Sequence, residues 1–231
     1  NKINVSIEAR MNSSRLPGKV LKNIFGKPSI EFLIDRLRLA KNIDEIVVAT
    51  TTSKADDILV QWCKSYGVKF FRGSEEDVLG RVVEAHKILD TDIVVSLTGD
   101  CPLTDPEVID LGVSSFLSNQ CDYLTNCEIQ SYPQGICVQV FKFEDLIEIE
   151  KKSIDPVVRE HVTVPFYENK DIYRNINLIA PRSLQLPSYC RTQLDYPEDL
   201  IFLNTIAEYL VPKFGYTFPL IELVNLLNNN P

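Results

Sequence analysis

One pattern repeats through the first half of the chain: a short apolar strand, a polar turn, then a helix. Asn4 to Glu8 (NVSIE) alternates as a strand. A polar break follows, and from Pro28 the apolar residues Ile30, Leu33, Ile34, Leu37 and Ala40 fall on one helical face. Glu45 to Thr50 (EIVVAT) predicts a buried strand, and Ser53 with Asp56 resembles the start of a helix carrying Ile58, Leu59 and Trp62. Lys69 to Phe71 and then Asp77 to Leu89 repeat the pair. Ile93 to Leu97 ends in Thr98-Gly99-Asp100, and Asp105 caps a helix opening at Pro106. A helix between each pair of strands returns the chain to the same end of the sheet. The expected fold is therefore α/β, with a mainly parallel sheet covered on both faces. Such sheets bind ligands off the carboxyl ends of their strands. Arg10, Thr50, Arg72 and Asp100 each follow a predicted strand, so they should share one rim.

The second half is less regular. Ile136 to Phe141 alternates as a strand, and a helix follows from about Phe143. Asp155-Pro156 opens a helix bearing Arg159, Glu160 and His161, and Tyr173 to Ile179 is strand-like. Arg191 to Asp195 (RTQLD) reads as a strand end before a helix opening in Tyr196-Pro197-Glu198-Asp199, and a last helix starts near Pro219. No linker composition interrupts these elements. A chain of 231 residues suits one sizeable core. The expectation is a single domain, 1–231, with a lid-like or dimerisation excursion around 127–190.

Charge narrows the partners. The net charge is −8 and the isoelectric point about 4.9, which argues against general nucleic-acid binding. Yet residues 1–41 hold nine Lys/Arg against three Asp/Glu. A positive region in a negative protein suits a small anionic ligand. Arg36, Arg38 and Lys41 read as the solvated basic face of the first helix. No apolar run approaches the ~18 residues that span a bilayer, and no secretory leader is evident. Cys63, Cys101, Cys121, Cys127, Cys137 and Cys190 form no C-x-x-C pair. They read as reduced thiols of a cytoplasmic protein, without structural zinc.

Several groups could carry chemistry. The break Ala9 to Lys19 holds Arg10, Arg15 and Lys19 with Ser13, Ser14 and Gly18. A basic loop between a strand and a helix is a common way to hold phosphates; the alternative is a solvated surface loop. It is not the G-x-x-x-x-G-K-[ST] loop, because Val20 follows Lys19 and Ser13 stands where the first glycine is required. Asp100, at the end of an apolar strand, could hold Mg²⁺ against phosphates or simply fix a turn. Asp195 could join it, or could cap the helix that follows. Residues 72–77 either face a nucleoside or form an ordinary strand-to-helix turn. His161 reads as either a packed histidine or a site residue.

These stretches resemble the signatures of one family. I-E-A-R-M-N-S-S-R-L-P-G-K at the start is similar to the I-x-A-R-x-x-S-x-R-L-P-G-K motif of the cytidylyltransferases, which include the CMP-sialic acid and CMP-Kdo synthetases. The likeness is strongest to the spore coat polysaccharide biosynthesis, SpsF-like, branch. It continues through R-G-S-E-E-D-V-L-G-R (72–81), L-T-G-D-C-P-L-T-D-P (97–106), R-E-H-V-T (159–163) and D-Y-P-E-D-L (195–200). The resemblance implies a three-layer α/β/α nucleotide-diphospho-sugar transferase (Rossmann-like) fold with a mainly parallel mixed sheet. It implies transfer of CMP from CTP to a sugar or sugar-acid acceptor, with Mg²⁺, by a homodimer. By position it places Arg10, Ser14, Arg15 and Lys19 on the triphosphate, Arg72, Ser74 and Thr98 near the nucleoside, and Ala9 in the same nucleotide site. Asp100 and Asp195 would bind the metal; Arg15, Lys19 and Asp100 would carry catalysis. Gln139, Arg159, Glu160, His161 and Arg191 would line the acceptor side.

One stretch departs from the family. The SpsF-like branch tends to carry acidic residues where this chain has Gln134, Cys137 and Gln139. Fewer negative charges on the acceptor side would suit a more anionic acceptor. Two other readings stand beside the transferase: a glycosyltransferase on a similar scaffold, and a catalytically silent nucleotide-binding module. The first lacks its usual Asp-x-Asp pair, since Cys101-Pro102 follows Asp100.

Overall fold

A computed structural model describes residues 1–187 and 190–229. Strands β1 (Ile3–Glu8), β4 (Glu45–Thr51), β5 (Lys69–Gly73) and β6 (Ile93–Thr98) lie where the alternation predicts them, joined in parallel. Between β1 and β4 come a two-stranded ribbon, β2 (Asn23–Ile24) with β3 (Lys27–Pro28), and helix α1 (Ser29–Leu37). Helices α2 (Asp57–Tyr66), α3 (Val78–Ile88) and α4 (Pro106–Ser118) follow β4, β5 and β6. Asp105 caps α4 as expected, accepting from the Glu107 and Val108 amides.

In the second half β7 (Tyr123–Thr125), β8 (Gln139–Lys142) and β9 (Asn175–Asn177) extend the sheet to seven strands, in the order β5-β4-β1-β6-β8-β7-β9. Strand β8 runs antiparallel to both of its neighbours, so the sheet is mixed. Helices α5 (Phe143–Lys152), α6 (Pro156–Glu160), α7 (Val164–Glu168), α8 (Pro197–Phe214) and α9 (Leu220–Asn229) complete the chain. The stretch 127–190, expected as an excursion, thus contributes β8 and β9 to the sheet; Ser188 and Tyr189 lie outside the described residues. Residues 191–195 form no strand, contrary to expectation. A single bridge joins Gln134 to Arg191 there. Strand β7 and the β2–β3 ribbon escape the pattern because they are too short to show a period of two.

Strand alternation builds the three layers. Val5, Ile7, Val48, Val95 and Leu97 face one side, packed with α1, α2, α4, α8 and α9. Val47, Ala49, Val94, Tyr123 and Phe141 face the other, packed with α3, α5 and Phe166 of α7. Arg36 corrects the sequence reading. It is 1% exposed, not on a solvated face. Its Nε donates to the Thr104 carbonyl at 3.0 Å, and its guanidinium lies against Asp105 and the Phe218 ring. Its place on the apolar side of α1 requires a partner carboxylate, which the cap of α4 supplies. Arg38 is exposed, as expected.

Candidate functional site

The cations after β1 are set by the loop backbone. The Met11 amide donates to Asp56 Oδ1 at 2.7 Å, and the Gly18 amide to the Met11 carbonyl at 2.8 Å, closing the loop on itself. Gly18 makes that closure at φ 70°, a conformation that favours glycine, and a short 3₁₀ turn then presents Lys19. From β6, Asp100 meets it. Lys19 Nζ lies 2.9 Å from Asp100 Oδ2 and 2.9 Å from Asp195 Oδ1. Arg15 donates to the same Asp195 oxygen at 2.8 Å and stacks over the Tyr196 ring.

Each carboxylate has its own support. Asp100 accepts from Thr98 Oγ1 at 2.5 Å and from Gln193 Nε2 at 3.1 Å. Burial pulls its pKa up, but Lys19, Thr98 and Gln193 together hold it below the ordinary carboxylate range. Burial likewise opposes the charge on Lys19, and the two aspartates more than offset it, so its pKa is raised. Asp195 does not cap α8. That task falls to Asp199, whose Oδ2 accepts from the Asp195 and Tyr196 amides at 2.8 Å each. The Asp195 carboxylate is left to the cations, including Arg191 at 3.4 Å. Gly135, at φ 98°, lets the 134–135 turn sit against Thr192 and the Gln193 amide; an added Cβ would come within 2.8 Å of that nitrogen. This contact brings the RTQLD segment to Asp100, where Leu194 donates to the Asp100 carbonyl at 2.8 Å.

A cleft of about 410 Å³ opens at this rim, lined by Ala9, Arg10, Ser14, Arg15, Lys19, Thr98, Asp100, Glu160 and His161 among others. Arg10 also pairs with Glu75 at 3.3 Å. A larger cavity, about 680 Å³, lies around Asp92, Ile93 and Lys142 at the amino end of β6. That is the end opposite to where parallel α/β sheets bind ligands.

The other expected site residues lie outside the cleft. Arg72 spends its fork on the β4–α2 turn, donating to the Thr51 carbonyl, the Ser53 carbonyl and Asp57, each at 2.7 Å. Ser74 accepts from the Glu76 and Asp77 amides, the ordinary turn of the two readings. Gln139 Oε1 accepts from the Tyr123 hydroxyl at 2.8 Å. Arg159 ties α6 to α5 and α3 through Glu150 and Asp77. Arg191 pairs with Asp199 at 2.6 Å and so stands behind Asp195. Arg72→Ala should therefore destabilise the fold by about 1–3 kcal/mol, the range for lost charge-assisted bonds, while nucleotide affinity changes less than about threefold. Denaturant melts together with equilibrium nucleotide binding check this; a large affinity loss in a stably folded variant would return Arg72 to the site.

Sequence reasoning overlooked Glu8, Arg81 and Gln193. Glu8 and Arg81 line the cleft, and Gln193 steadies Asp100. The available signal was the alternation of β1, which places Glu8 on the same face as Asn4 and Ser6, toward α3.

Among the described residues no group of three or more His, Cys, Asp or Glu side chains converges as a metal cage. Two carboxylates do converge on one cation, the Lys19 ammonium. Hard oxygens in that number suit Mg²⁺, which takes one or two carboxylates and completes its sphere with phosphates and water.

Residues 5–212 match the family model described as Cytidylyltransferase. The spore coat polysaccharide biosynthesis protein SpsF of Bacillus subtilis is 34% identical, over 100% of this chain and 96% of its own length. The 8-amino-3,8-dideoxy-manno-octulosonate cytidylyltransferase of Shewanella pealeana is 42% identical, over 95% of this chain and 93% of its own. Among solved structures, a cytidylyltransferase from Leptospira borgpetersenii superposes with a TM-score of 0.92 at 32% identity, covering 100% of this chain and 95% of its own.

Proposed function

The chain belongs to the cytidylyltransferase family, and we propose that it transfers CMP from CTP to a sugar or sugar-acid acceptor, releasing pyrophosphate, in surface glycan biosynthesis. One observation carries the reading. Lys19 is clamped between Asp100 and Asp195 at the carboxyl rim of the sheet, with Arg15 alongside. A triphosphate entering the cleft meets Arg10, Arg15, Lys19 and Ser14, with the backbone at Ala9 below it and Thr98 toward the nucleoside.

The acceptor oxygen attacks the α-phosphorus in line, and the bond to the β-phosphate oxygen breaks. The residues then have two tasks, positioning and neutralising the charge that moves onto pyrophosphate. Arg15 and Lys19 do the second. Asp100 and Asp195 would hold Mg²⁺, which when bound adds charge neutralisation to the phosphates. Glu160 and His161, lining the cleft, meet the acceptor. Gln139, Arg159 and Arg191 act behind it: Arg191 orients Asp195 and Asp199, and Arg159 fixes the helix that bears Glu160. Gln134, hydrogen-bonded to Gln193 at 3.3 Å, continues a neutral amide chain from Asp100 toward the acceptor side. That chain suits an acceptor carrying a carboxylate.

The same reading has the protein act as a cytoplasmic homodimer. Among the described residues no helix is long and apolar enough to cross a membrane. Ile129, Ile154, Ile172 and Ile179 lie exposed along 127–190, the stretch expected to make the dimer contact.

Pyrophosphate release from CTP, with Mg²⁺ and a panel of 2-keto sugar acids and neutral sugars, tests the proposal. Release that depends on both CTP and one acceptor is the expected result. Cleavage of a nucleotide sugar instead would favour a glycosyltransferase, and neither reaction would mark a silent module.

A further inference from the structure

Three thiols that the phosphate chemistry does not use gather beside the site. The β7–β8 ladder pairs Thr125 with Gln139 and runs on past the strands, where the Asn126 amide donates to the Val138 carbonyl at 3.3 Å. In that register the next facing pair is Cys127 with Cys137. The Asn126 side chain fixes Cys137 from both sides. Its Nδ2 donates to the Ile136 carbonyl at 2.8 Å, and its Oδ1 accepts from the Val138 amide at 2.9 Å. The same Oδ1 accepts from Cys127 Sγ at 3.3 Å. On its other side the Cys137 thiol meets that of buried Cys101, whose Sγ lies 3.6 Å from Asp100 Oδ1.

Because the Asn126–Val138 pair is hydrogen-bonded, Cys127 and Cys137 take the non-bonded position of an antiparallel ladder, where facing Cα atoms stand ~4.5 Å apart. The Cys127 amide accordingly turns to Thr125 Oγ1, at 3.0 Å. A disulfide spans Cα separations of about 4.4–6.8 Å, so this pair can close with little backbone movement. The two thiols also differ in character. Cys127 is exposed and Cys137 half-buried. The Cys127 thiol is pulled down to about 7, chiefly by hydrogen bonding with Cys137, while Cys101 and Cys127 hold the Cys137 thiol well above its usual range. The exposed sulfur therefore carries the thiolate, the form that peroxides oxidise. Among the described residues the thiols form no metal cage.

We propose that Cys127 and Cys137 form a peroxide-responsive pair that closes to a reversible disulfide. The Cys127 thiolate attacks one oxygen of hydrogen peroxide; the O–O bond breaks, one water leaves, and Cys127 becomes a sulfenic acid. The Cys137 sulfur then attacks the Cys127 sulfur. The S–S bond forms, the S–O bond breaks, and the departing hydroxide takes the Cys137 proton as a second water. Two thiols thus lose two electrons and two protons to one peroxide. The bond would close the base of the 128–136 loop. That loop bears on the site, because the Gln134 carbonyl accepts from the Thr192 amide at 2.7 Å and hydroxyl at 3.0 Å, next to the Gln193 that holds Asp100. The inference holds whichever nucleotide the cleft takes.

The test is peptide mapping by mass spectrometry of the full wild-type chain, treated with hydrogen peroxide and then alkylated and digested without reductant. The expected product is one cross-linked peptide pair joining Cys127 to Cys137, two hydrogens lighter than the dithiol and released by dithiothreitol, with Cys63 and Cys121 alkylated in full once the chain is unfolded. In Cys137→Ser the reaction should stop at the sulfenic acid of Cys127, which dimedone traps. Hydrogen exchange of the cross-linked wild type should slow by about tenfold across 128–136, because closing the loop removes its open states. The mapping needs no variant, so it stands even if a substitution disturbs folding. Complete alkylation of Cys127 and Cys137 after peroxide would overturn the proposal, as would a Cys101–Cys137 link in place of the expected one. Unchanged exchange across 128–136 would overturn the loop closure, and a Cys137→Ser protein without dimedone label on Cys127 would overturn the order of attack.

Discussion

Lys19→Ala is expected to lower turnover by about 10²- to 10³-fold, the usual consequence of removing one preorganised charge from a developing anion. The structure adds a second consequence. Lys19 is the cation between Asp100 and Asp195, and all three side chains are at most 14% exposed. Its removal leaves two carboxylates facing each other, with Arg15 and Arg191 as the cations that still pair with Asp195 among the described residues. Breaking a fully buried pair costs about 3–5 kcal/mol, and this partly solvated one should cost nearer 2. For a chain of this size that is a fall in melting temperature of about 4–8 °C. Under the proposed metal site, Mg²⁺ should recover part of it, because a divalent cation would satisfy the same two carboxylates. Melting curves with and without Mg²⁺, run beside steady-state kinetics, check both effects. Near-normal turnover would remove Lys19 from the catalytic groups. A fall that Mg²⁺ leaves untouched would argue against a metal at the two aspartates.

Asp100→Asn should lose at least about 10²-fold in turnover while remaining folded. The amide keeps the shape and can still meet Thr98 or Gln193, and Lys19 retains Asp195. What it loses is the negative charge that orients Lys19 and would hold the metal. The Mg²⁺ concentration giving half-maximal activity should rise accordingly, a shift that a purely structural residue would not produce. Stability against acid supplies an independent measurement. The Asp100 carboxyl is held below its ordinary range in the folded state. Its contribution is therefore present above the unfolded carboxylate value and is lost as pH falls through the lower folded one. The Asn variant should lose that part of the acid limb. An unchanged limb, with unchanged turnover, would place the charge elsewhere.

The layered α/β fold was legible because it depends on local periodicity. Periods of two and 3.6, with caps such as Asp105 before Pro106, locate β1, β4, β5, β6 and the helices after them. The far half of the sheet was less legible. β7 and β9 have three residues each, and β9 finds its partner, β7, far back along the chain. Arg36 shows the same limit: a lone arginine on a helix reads as solvated until Asp105, 69 residues away, covers it.

The site divides in the same way. The sequence alone determined which groups stand at the strand ends, and so that Arg10, Thr50, Arg72 and Asp100 share a rim. A parallel sheet leaves no other place for them. It also identified the family, whose motifs lie in those same turns. Only the tertiary structure decided what each group faces. It turned Arg72 and Ser74 into a loop brace, gave the cap of α8 to Asp199, and freed Asp195 to meet Lys19 from 176 residues away. Position at a strand end follows from chain order, but the direction and partner of a side chain depend on close approach of distant segments, and no local pattern encodes that.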